Sequence, residues 1–220
     1  MSGLTISAKR VQATAERLLD PEAAEWKAAA GHTAPLQPTP IELQNAPYIQ
    51  VAWKDRPYGR TKALDVRVLT NGSWLLLRLS WPAARRVAWV TDDDVFPDAA
   101  GVLFPLDGRD APLTEMGSPE QPVNAWYWRA DVERPANIIA TGRGTTSKQT
   151  DNPLAGRGLW QSGVWEVAIG RPLDVEGAAA VPLAAVGKIK VAFAVWEGAN
   201  QERVGLKAYS PEWHELVIEG

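Results

Sequence analysis

The sequence contains few side chains of the kinds that bind metals or act as nucleophiles. It has no cysteine, two histidines (His32 and His214) and two methionines, of which Met116 is internal. Without cysteine there can be no thiolate-held zinc, iron–sulfur cluster, covalently attached haem or cysteine nucleophile. Two histidines exclude a histidine-rich metal site, and we expect both to be ordinary surface or partly buried side chains.

Short catalytic and nucleotide-binding motifs are also missing. Residues 142–148, GRGTTSK, resemble a phosphate-binding loop only superficially, because the order of glycine, lysine and hydroxyl residues is wrong and no helix is predicted after them. There is no Gly-x-Ser-x-Gly elbow, and the carboxylates form no evident acid–base pair. The chain is therefore not predicted to perform chemistry alone.

Composition and charge are ordinary for a soluble globular protein. Of the 220 residues, 45% are hydrophobic and 22% charged, and the formal net charge of −3 gives no electrostatic reason to expect nucleic acid or an anionic membrane as partner. The N-terminus lacks the apolar region of a secretory signal, and no stretch approaches the roughly 20 apolar residues of a membrane span. Export would then require a signal-bearing partner or removal of a signal.

The spacing of apolar residues predicts mainly strands. The clearest element is a hairpin over residues 63–81 around the Asn71-Gly72 turn, with Leu75, Leu77, Leu79 and Trp81 on one face. A short helix is predicted after Asp20, and a polar loop over residues 142–158. Further strands are predicted at residues 87–90, 101–104, 123–130, 137–141, 163–169, 188–196 and 213–218. This pattern indicates a single domain over residues 1–220, an antiparallel β-sandwich with short peripheral helices.

Tryptophan is unusually abundant, with 11 residues. Large planar side chains in such number suit a sandwich core, a sugar-stacking face or a wall around a flat cofactor. The strand at residues 123–130 places Trp126 and Trp128 on one side and Tyr127 on the other. Its alternation leaves open which side would face a cofactor.

Several separated stretches occur in the order known from one protein family. They are Ala8-Lys9-Arg10-Val11, Pro38-Thr39-Pro40, Ala63-Leu64-Asp65-Val66, Asn71-Gly72-Ser73, Phe104-Pro105, Met116-Gly117, Pro122-Val123-Asn124-Ala125-Trp126-Tyr127-Trp128, Ala192-Phe193-Ala194-Val195-Trp196, Glu202-Arg203 and Lys207-Ala208-Tyr209-Ser210. On these the chain resembles the haem-b-binding γ subunit of ethylbenzene dehydrogenase and related type II dimethyl sulfoxide reductase family molybdenum enzymes.

The resemblance implies one non-covalent haem b with Met116 and Lys207 as the axial iron ligands. A lysine binds iron only as a neutral amine, so its ordinary pKa of about 10.4 must be overcome. Trp126 and Trp128 are candidate walls of the haem pocket, and Arg203 is a candidate partner of a haem propionate. Lys190 and Arg129 are weaker candidates for the same task.

The resemblance further implies a non-catalytic electron-transfer subunit in a heterotrimer. Its partners would be an iron–sulfur β subunit and an α subunit with a molybdenum bis-pterin cofactor, in a periplasmic complex, although a cytoplasmic location also fits. Electrons from an alkylaromatic or steroid side chain would leave through this haem to an external acceptor such as a cytochrome. One alternative is reverse flow in a chlorate, perchlorate or selenate reductase. Another is a carbohydrate-binding β-sandwich module.

Overall fold

The computed structural model describes residues 3–90, 94–108, 110–177, 181–184 and 187–218. The strands in these residues form one hydrogen-bonded network with the path β10-β11-β5-β4-β1-β14-β12-β6-β7-β8-β9. Their bounds are Thr5–Arg10 (β1), His32–Pro35 (β2), Gln37–Pro38 (β3), Ala63–Thr70 (β4), Trp74–Pro82 (β5), Ala99–Pro105 (β6), Val123–Arg129 (β7), Ala136–Ala140 (β8), Ser147–Lys148 (β9), Ala155–Gln161 (β10), Val164–Pro172 (β11), Lys188–Trp196 (β12), Ala208–Tyr209 (β13) and His214–Ile218 (β14).

The helices are short and lie in the segments that connect the strands. The α-helices are Ala15–Leu18 (α1) and Pro47–Trp53 (α2), and the 3-10 helices are Ala24–Ala28, Ile41–Leu43 and Gly198–Asn200. None of the helices within the described ranges combines the length and apolar character that crossing a bilayer requires.

The strand β12 belongs to both halves of the sandwich. Its first residues, from Lys188 to Val191, pair with β14, whereas those from Ala192 to Trp196 pair with β6. The path therefore divides at β12 into two halves whose inner faces contribute to one hydrophobic core. All pairings are antiparallel except those of β1, which is parallel to β14 and β4. The predicted β-sandwich is confirmed, with a mixed sheet at β1.

Three tryptophans pack against one another across the core. Trp81 and Trp165 come from β5 and β11 of one half, and Trp128 comes from β7 of the other. The ring centroid of Trp128 lies 6.3 Å from that of Trp81 and 5.1 Å from that of Trp165. Together with Trp126, they make up four of the 11 tryptophans, and these four fill the space between the sheets, where aromatic side chains bury much apolar area.

The predicted hairpin is confirmed in β4 and β5. Gly72 in its turn has φ +86°, a left-handed conformation that glycine adopts at low cost. Leu75, Leu77, Leu79 and Trp81 all lie in the main core, as their alternation predicts.

Other local predictions are only partly correct. The strand predicted at residues 87–90 is wrong: this segment is a loop, in which Val87 donates its N–H to the buried carboxylate of Asp98 at 2.8 Å. The predicted helix after Asp20 is the 3-10 helix Ala24–Ala28. The polar loop at 142–158 contains β9 and the start of β10. α2 and β1 were not predicted, because short elements owe their stability to tertiary packing more than to local pattern.

Candidate cofactor site

The side chains of Met116 and Lys207 meet although 91 positions separate them in the chain. The Lys207 Nζ atom lies 3.5 Å from the Met116 Sδ atom. Both residues line a cavity of about 390 Å³, a volume in the range of small-molecule and cofactor sites. A thioether and an amine are both capable metal ligands, so the contact brings together two donors that are unremarkable in the sequence.

The floor of the cavity is the face of β6, β7 and β12 that points away from the core. Small side chains dominate its centre, where Ala194 is paired with Gly101 and Ala192 with Leu103. Next along the sheet, Leu103 is paired with Ala125 and Gly101 with Tyr127. The residues of this floor are Gly101, Leu103, Ala125, Tyr127, Ala192, Ala194 and Trp196. Glycine and alanine leave a shallow, flat apolar surface suited to a planar ligand.

Met116 lies in a tight turn with an unusual backbone conformation. Its φ is +58° and that of Gly117 is +83°. The turn is closed by Met116 N–H donating to the Leu113 carbonyl at 3.0 Å and by Gly142 N–H donating to the Met116 carbonyl at 3.1 Å. A Cβ on Gly117 would lie 2.8 Å from the Gln121 carbonyl oxygen, so glycine is required there. Left-handed backbone at a non-glycine residue is uncommon and concentrates at functional sites.

Lys207 is a buried lysine, with only 8% of the residue exposed. In the described part of the chain its amine contacts the Met116 sulfur and lies 5.2 Å from the ring centroid of Trp196, rather than meeting a carboxylate. Burial lowers the pKa of Lys207 to about 8, because desolvation penalises the charged form. The amine is therefore much easier to deprotonate than that of an exposed lysine, as a metal ligand requires.

Two arginines border the cavity. Arg203, which the sequence singled out, lies with its guanidinium carbon 4.3 Å from the Phe96 ring centroid. Arg143 donates to the Glu115 carboxylate at 2.8 Å and to the Leu43 carbonyl. Sequence reasoning missed Arg143, since it lies in a loop distant along the chain from both ligands. The charge pair with Glu115, next to Met116, becomes visible only in the fold.

The structure does not bring Trp126 and Trp128 to the cavity. Trp126 is fully buried in the core, with its ring centroid 4.8 Å from that of Phe104, and Trp128 belongs to the tryptophan cluster. Their neighbour Tyr127 faces the cavity instead, with its ring centroid 5.2 Å from that of Trp196. The two tryptophans are therefore core residues, and the tyrosine and tryptophan residues that line the cavity are Tyr48, Tyr127, Trp196 and Tyr209.

Arg129 and Lys190, the two weaker candidates for binding a haem propionate, form ion pairs away from the cavity. Arg129 pairs with Asp131 at 2.6 Å, and Lys190 pairs with Asp110. Neither lines the cavity. Among the residues that the structure describes, the cationic side chains that line the candidate site are thus Arg143, Arg203 and Lys207.

Solved structures similar to this chain share its fold at low sequence identity. One is a family 9 carbohydrate-binding module from Caldicellulosiruptor kristjanssonii in complex with glucose, with a TM-score of 0.53, 8% identity, and coverage of 98% of this chain and 96% of that one. Another is a putative carbohydrate-binding protein from Bacteroides uniformis, with a TM-score of 0.54, 15% identity, and coverage of 99% and 100%. At such identities the likeness concerns the fold alone.

Relatives in sequence are considerably closer. The γ subunit of chlorate reductase from Ideonella dechloratans is 36% identical over 71% of this chain and 65% of its own length. A putative respiratory nitrate reductase heme subunit from Haloferax mediterranei is 33% identical over 83% of this chain and 68% of its own length. The γ subunit of dimethylsulfide dehydrogenase from Rhodovulum sulfidophilum is 32% identical, with coverage of 79% and 68%.

A family model described as ethylbenzene dehydrogenase matches residues 23–156, which include Met116 and most of the cavity floor. The remaining ligand candidate, Lys207, lies outside that range but within the same cavity. Together with the relatives, this match shows that the chain belongs to the ethylbenzene dehydrogenase family.

Proposed function

We propose that this chain is a one-domain electron-transfer subunit that binds a single non-covalent haem b, with Met116 and Lys207 as axial ligands. The observation that carries the proposal is the 3.5 Å contact between the Lys207 amine and the Met116 sulfur inside an apolar cavity. The relatives support it, because one of them is named as a heme subunit and two as γ subunits of oxidoreductases.

The residues at the site fit a haem in donor type, shape and charge. Met116 and Lys207 would hold the iron through their thioether and amine, whose Sδ and Nζ atoms lie 3.5 Å apart. Both side chains have several rotatable bonds, which would let the two donor atoms separate around a bound iron. The flat floor accepts a planar ring, and the two arginines at the border suit its carboxylates.

Haem iron with two strong axial ligands supplies one-electron transfer with no open position for oxygen or substrate. This chain's own residues create the conditions for that chemistry. Met116 offers a thioether, which favours reduced iron and raises the reduction potential. The burial that lowers the Lys207 pKa to about 8 favours the neutral amine. Tyr127 and the small floor residues line the cavity and would exclude water from a bound haem.

Arg203 and Arg143 are the proposed partners of the haem propionates. Both guanidinium groups lie at the border of the cavity, and both residues carry donors that match a carboxylate in geometry. Arg143 already binds one carboxylate, that of Glu115. It can therefore couple the position of a propionate to the turn that carries Met116.

We further propose that the haem relays electrons in a periplasmic heterotrimer with an iron–sulfur subunit and a molybdenum bis-pterin subunit. In the favoured direction, an alkylaromatic or steroid side chain is oxidised in the complex and the electrons leave through this chain to an acceptor such as a cytochrome. Resemblance to the family supports these assignments. The 36% identity to a chlorate reductase subunit favours the reverse flow as a second candidate. Activity of the purified complex with hydrocarbon, steroid and chlorate substrates distinguishes the two directions.

The first experiment is an absorption spectrum of the purified chain supplied with haem. We expect one haem per chain, a low-spin Soret band and sharp α and β bands on reduction. A chain that stays colourless yet binds sugars would instead support the carbohydrate-binding alternative. Trp81, Trp126, Trp128 and Trp165 are buried and cannot stack on sugars, which leaves the exposed Trp89 as a ring that the carbohydrate-binding alternative could use.

The second experiment removes the ligands one at a time. Met116→Ala and Lys207→Ala should each lower haem occupancy or shift the reduction potential while the far-ultraviolet circular dichroism stays unchanged. Lys190→Ala is the matched control, since Lys190 lies in β12 but pairs with Asp110 away from the cavity. Spectra and potentials identical to wild type in both ligand variants would remove these residues from the ligand set.

A further inference from the structure

A buried carboxylate, that of Glu202, lies five residues before Lys207 in the chain and is not one of the proposed haem-binding groups. Glu202 is 2% exposed. Its Oε1 atom accepts hydrogen bonds from the Gly59 N–H at 2.7 Å and from the Asn200 side-chain amide at 3.0 Å. Its Oε2 atom accepts one from the Glu197 N–H at 2.9 Å. One side chain thus joins the end of β12, the turn after it and the distant segment at Gly59.

The segment that Glu202 holds lies directly against the backbone of Lys207. A Cβ on Gly59 would lie 2.8 Å from the Lys207 carbonyl oxygen and 2.6 Å from the Pro38 Cα atom. The same carbonyl oxygen of Lys207 accepts a hydrogen bond from the Thr39 N–H at 3.1 Å. A displacement of Gly59 would therefore be transmitted to Lys207 through backbone contact.

The loop that contains Glu202 is strained on both sides of it. Gln201 has φ +60° and Val204 has φ +51°, and left-handed backbone is particularly unfavourable for a β-branched residue such as valine. Such conformations persist only where surrounding contacts over-determine them. Hydrogen bonds from N–H groups to an ionised carboxylate are stronger than those between neutral groups. Glu202 supplies three such contacts within this loop and to its neighbour.

Burial and hydrogen bonding act on the Glu202 carboxyl in opposite directions. Burial raises the pKa of this carboxyl above its ordinary value, the charge of Glu197 adds to the rise, and the hydrogen bonds from Glu197, Asn200 and Gly59 oppose it without cancelling it. The three donors stabilise the ionised form that accepts them.

We propose that Glu202 is a positioning residue, which holds the loop so that the Lys207 amine stays opposite the Met116 sulfur and remains bound to the haem iron. This role rests on the proposed function, because it concerns the stability of the lysine–iron bond. The hydrogen bonds of the carboxylate go to Gly59, Glu197 and Asn200 rather than to Met116 or Lys207.

The test is Glu202→Gln in the full-length haem-loaded chain. Glutamine keeps the shape but places an NH2 group where Oε1 or Oε2 now accepts an N–H, so at least one donor loses its acceptor. With ligation weakened, carbon monoxide should compete more effectively for reduced iron. We expect the apparent carbon monoxide affinity to rise about tenfold, equivalent to about 1.4 kcal/mol, and a high-spin fraction to appear in the oxidised spectrum.

Asp98→Asn is the matched control. Asp98 is 1% exposed and also accepts three N–H groups, from Val87 at 2.8 Å, the Trp165 indole at 2.8 Å and Gly198 at 2.9 Å. Its hydrogen bond from Gly198 holds the turn after β12, which Glu202 also holds through Glu197, but none of its three hydrogen bonds reaches Gly59. We expect Asp98→Asn to lower thermal stability comparably while carbon monoxide affinity stays within twofold of wild type.

A milder variant covers the case in which Glu202→Gln does not fold. Asn200→Ala removes one of the three donors and the 3.0 Å hydrogen bond to the Pro57 carbonyl, and it should shift carbon monoxide affinity in the same direction by a smaller factor. Wild-type affinity in a folded Glu202→Gln or Asn200→Ala, or an equal shift in Asp98→Asn, would overturn the positioning role alone. Two other results would overturn the proposed function together with the positioning role. One is a wild-type chain that binds no haem when supplied with it, and the other is a haem spectrum of Lys207→Ala equal to that of the wild type.

Discussion

The two faces of β6, β7 and β12 differ in what covers them. On the inner face, Phe104 and Trp126 are fully buried in the core between the sheets. On the outer face, Gly101, Ala125 and Ala194 form the floor of the cavity. Because successive residues of a strand alternate between faces, neighbours such as Ala125 and Trp126 serve different tasks. The inner face holds the fold together and the outer face leaves room for a ligand.

The largest expected effect is on the inner face. Trp126→Ala removes a fully buried ring that packs on Phe104 and donates from its indole to Asn124 at 3.0 Å. We expect the free energy of unfolding to fall by about 3–5 kcal/mol, measured by urea denaturation of the haem-free chain. Trp126→Phe should cost less, because it retains much of the ring volume. A loss below about 1 kcal/mol for the alanine variant would show that the inner face is not the principal core.

The second-largest expected effect concerns the buried amine of Lys207, on the cavity side of the sheet. The unfolded lysine titrates near 10.5 and the folded one at about 8, so the unfolded state binds more protons between these pH values and stability rises with pH across this window. Below pH 8 the penalty is constant, and by the pKa difference it amounts to about 3 kcal/mol.

Lys207→Met in the haem-free chain should therefore raise the free energy of unfolding at pH 7 by up to about 3 kcal/mol and flatten its rise between pH 8 and pH 10. Urea titrations at several pH values measure both quantities. Lys190→Met, at a half-exposed position, is the control and should change little. An unaltered pH profile in Lys207→Met would mean that Lys207 does not cause the rise of stability with pH.

The same change, alanine to leucine, made once on each face of the sheet sharpens the comparison further. Ala194→Leu adds volume at the cavity floor, and Ala100→Leu adds it in the core on the inner face of β6. We expect Ala100→Leu to destabilise the fold by about 1–3 kcal/mol through overpacking. Ala194→Leu should leave unfolding nearly unchanged but lower haem affinity at least tenfold, equivalent to about 1.4 kcal/mol. Equal effects of the two variants on haem affinity, measured by titration, would contradict the division between faces.

The smallest effect is expected at the border of the cavity. The ion pair of Arg143 and Glu115 is partly solvated, with 31% and 47% of the side chains exposed. Arg143→Gln should therefore change the free energy of unfolding by less than about 1 kcal/mol, while haem affinity falls a few-fold and loses part of its salt dependence. Arg129→Gln, which breaks the pair with Asp131 elsewhere, should leave haem affinity unchanged. Identical haem titrations for both arginine variants would argue against Arg143 as a propionate partner.

Much of the strand content could be predicted from local pattern. The alternation in β5, β7 and β12 and the Asn71-Gly72 turn indicate strands without reference to the rest of the molecule. The loop at residues 87–90 could not be recognised, because its apolar side chains look like a strand and only the buried carboxylate of Asp98 holds the segment in another conformation. Short helices such as α2 were missed for a related reason, since packing rather than propensity stabilises them.

The sequence by itself determined the class of fold, and through family resemblance it singled out Met116 and Lys207 as candidate ligands. Neither residue is distinguished by its local surroundings, so no pattern argument identifies them individually. Only the tertiary structure decided that Trp126 and Trp128 face the core, that Tyr127 and the small residues face the cavity, that Arg143 pairs with Glu115 beside Met116, and that Glu202 is hydrogen-bonded within the loop before Lys207. Alternation along a strand is local, but which face is covered depends on elements far away in the chain, and that information lies in packing.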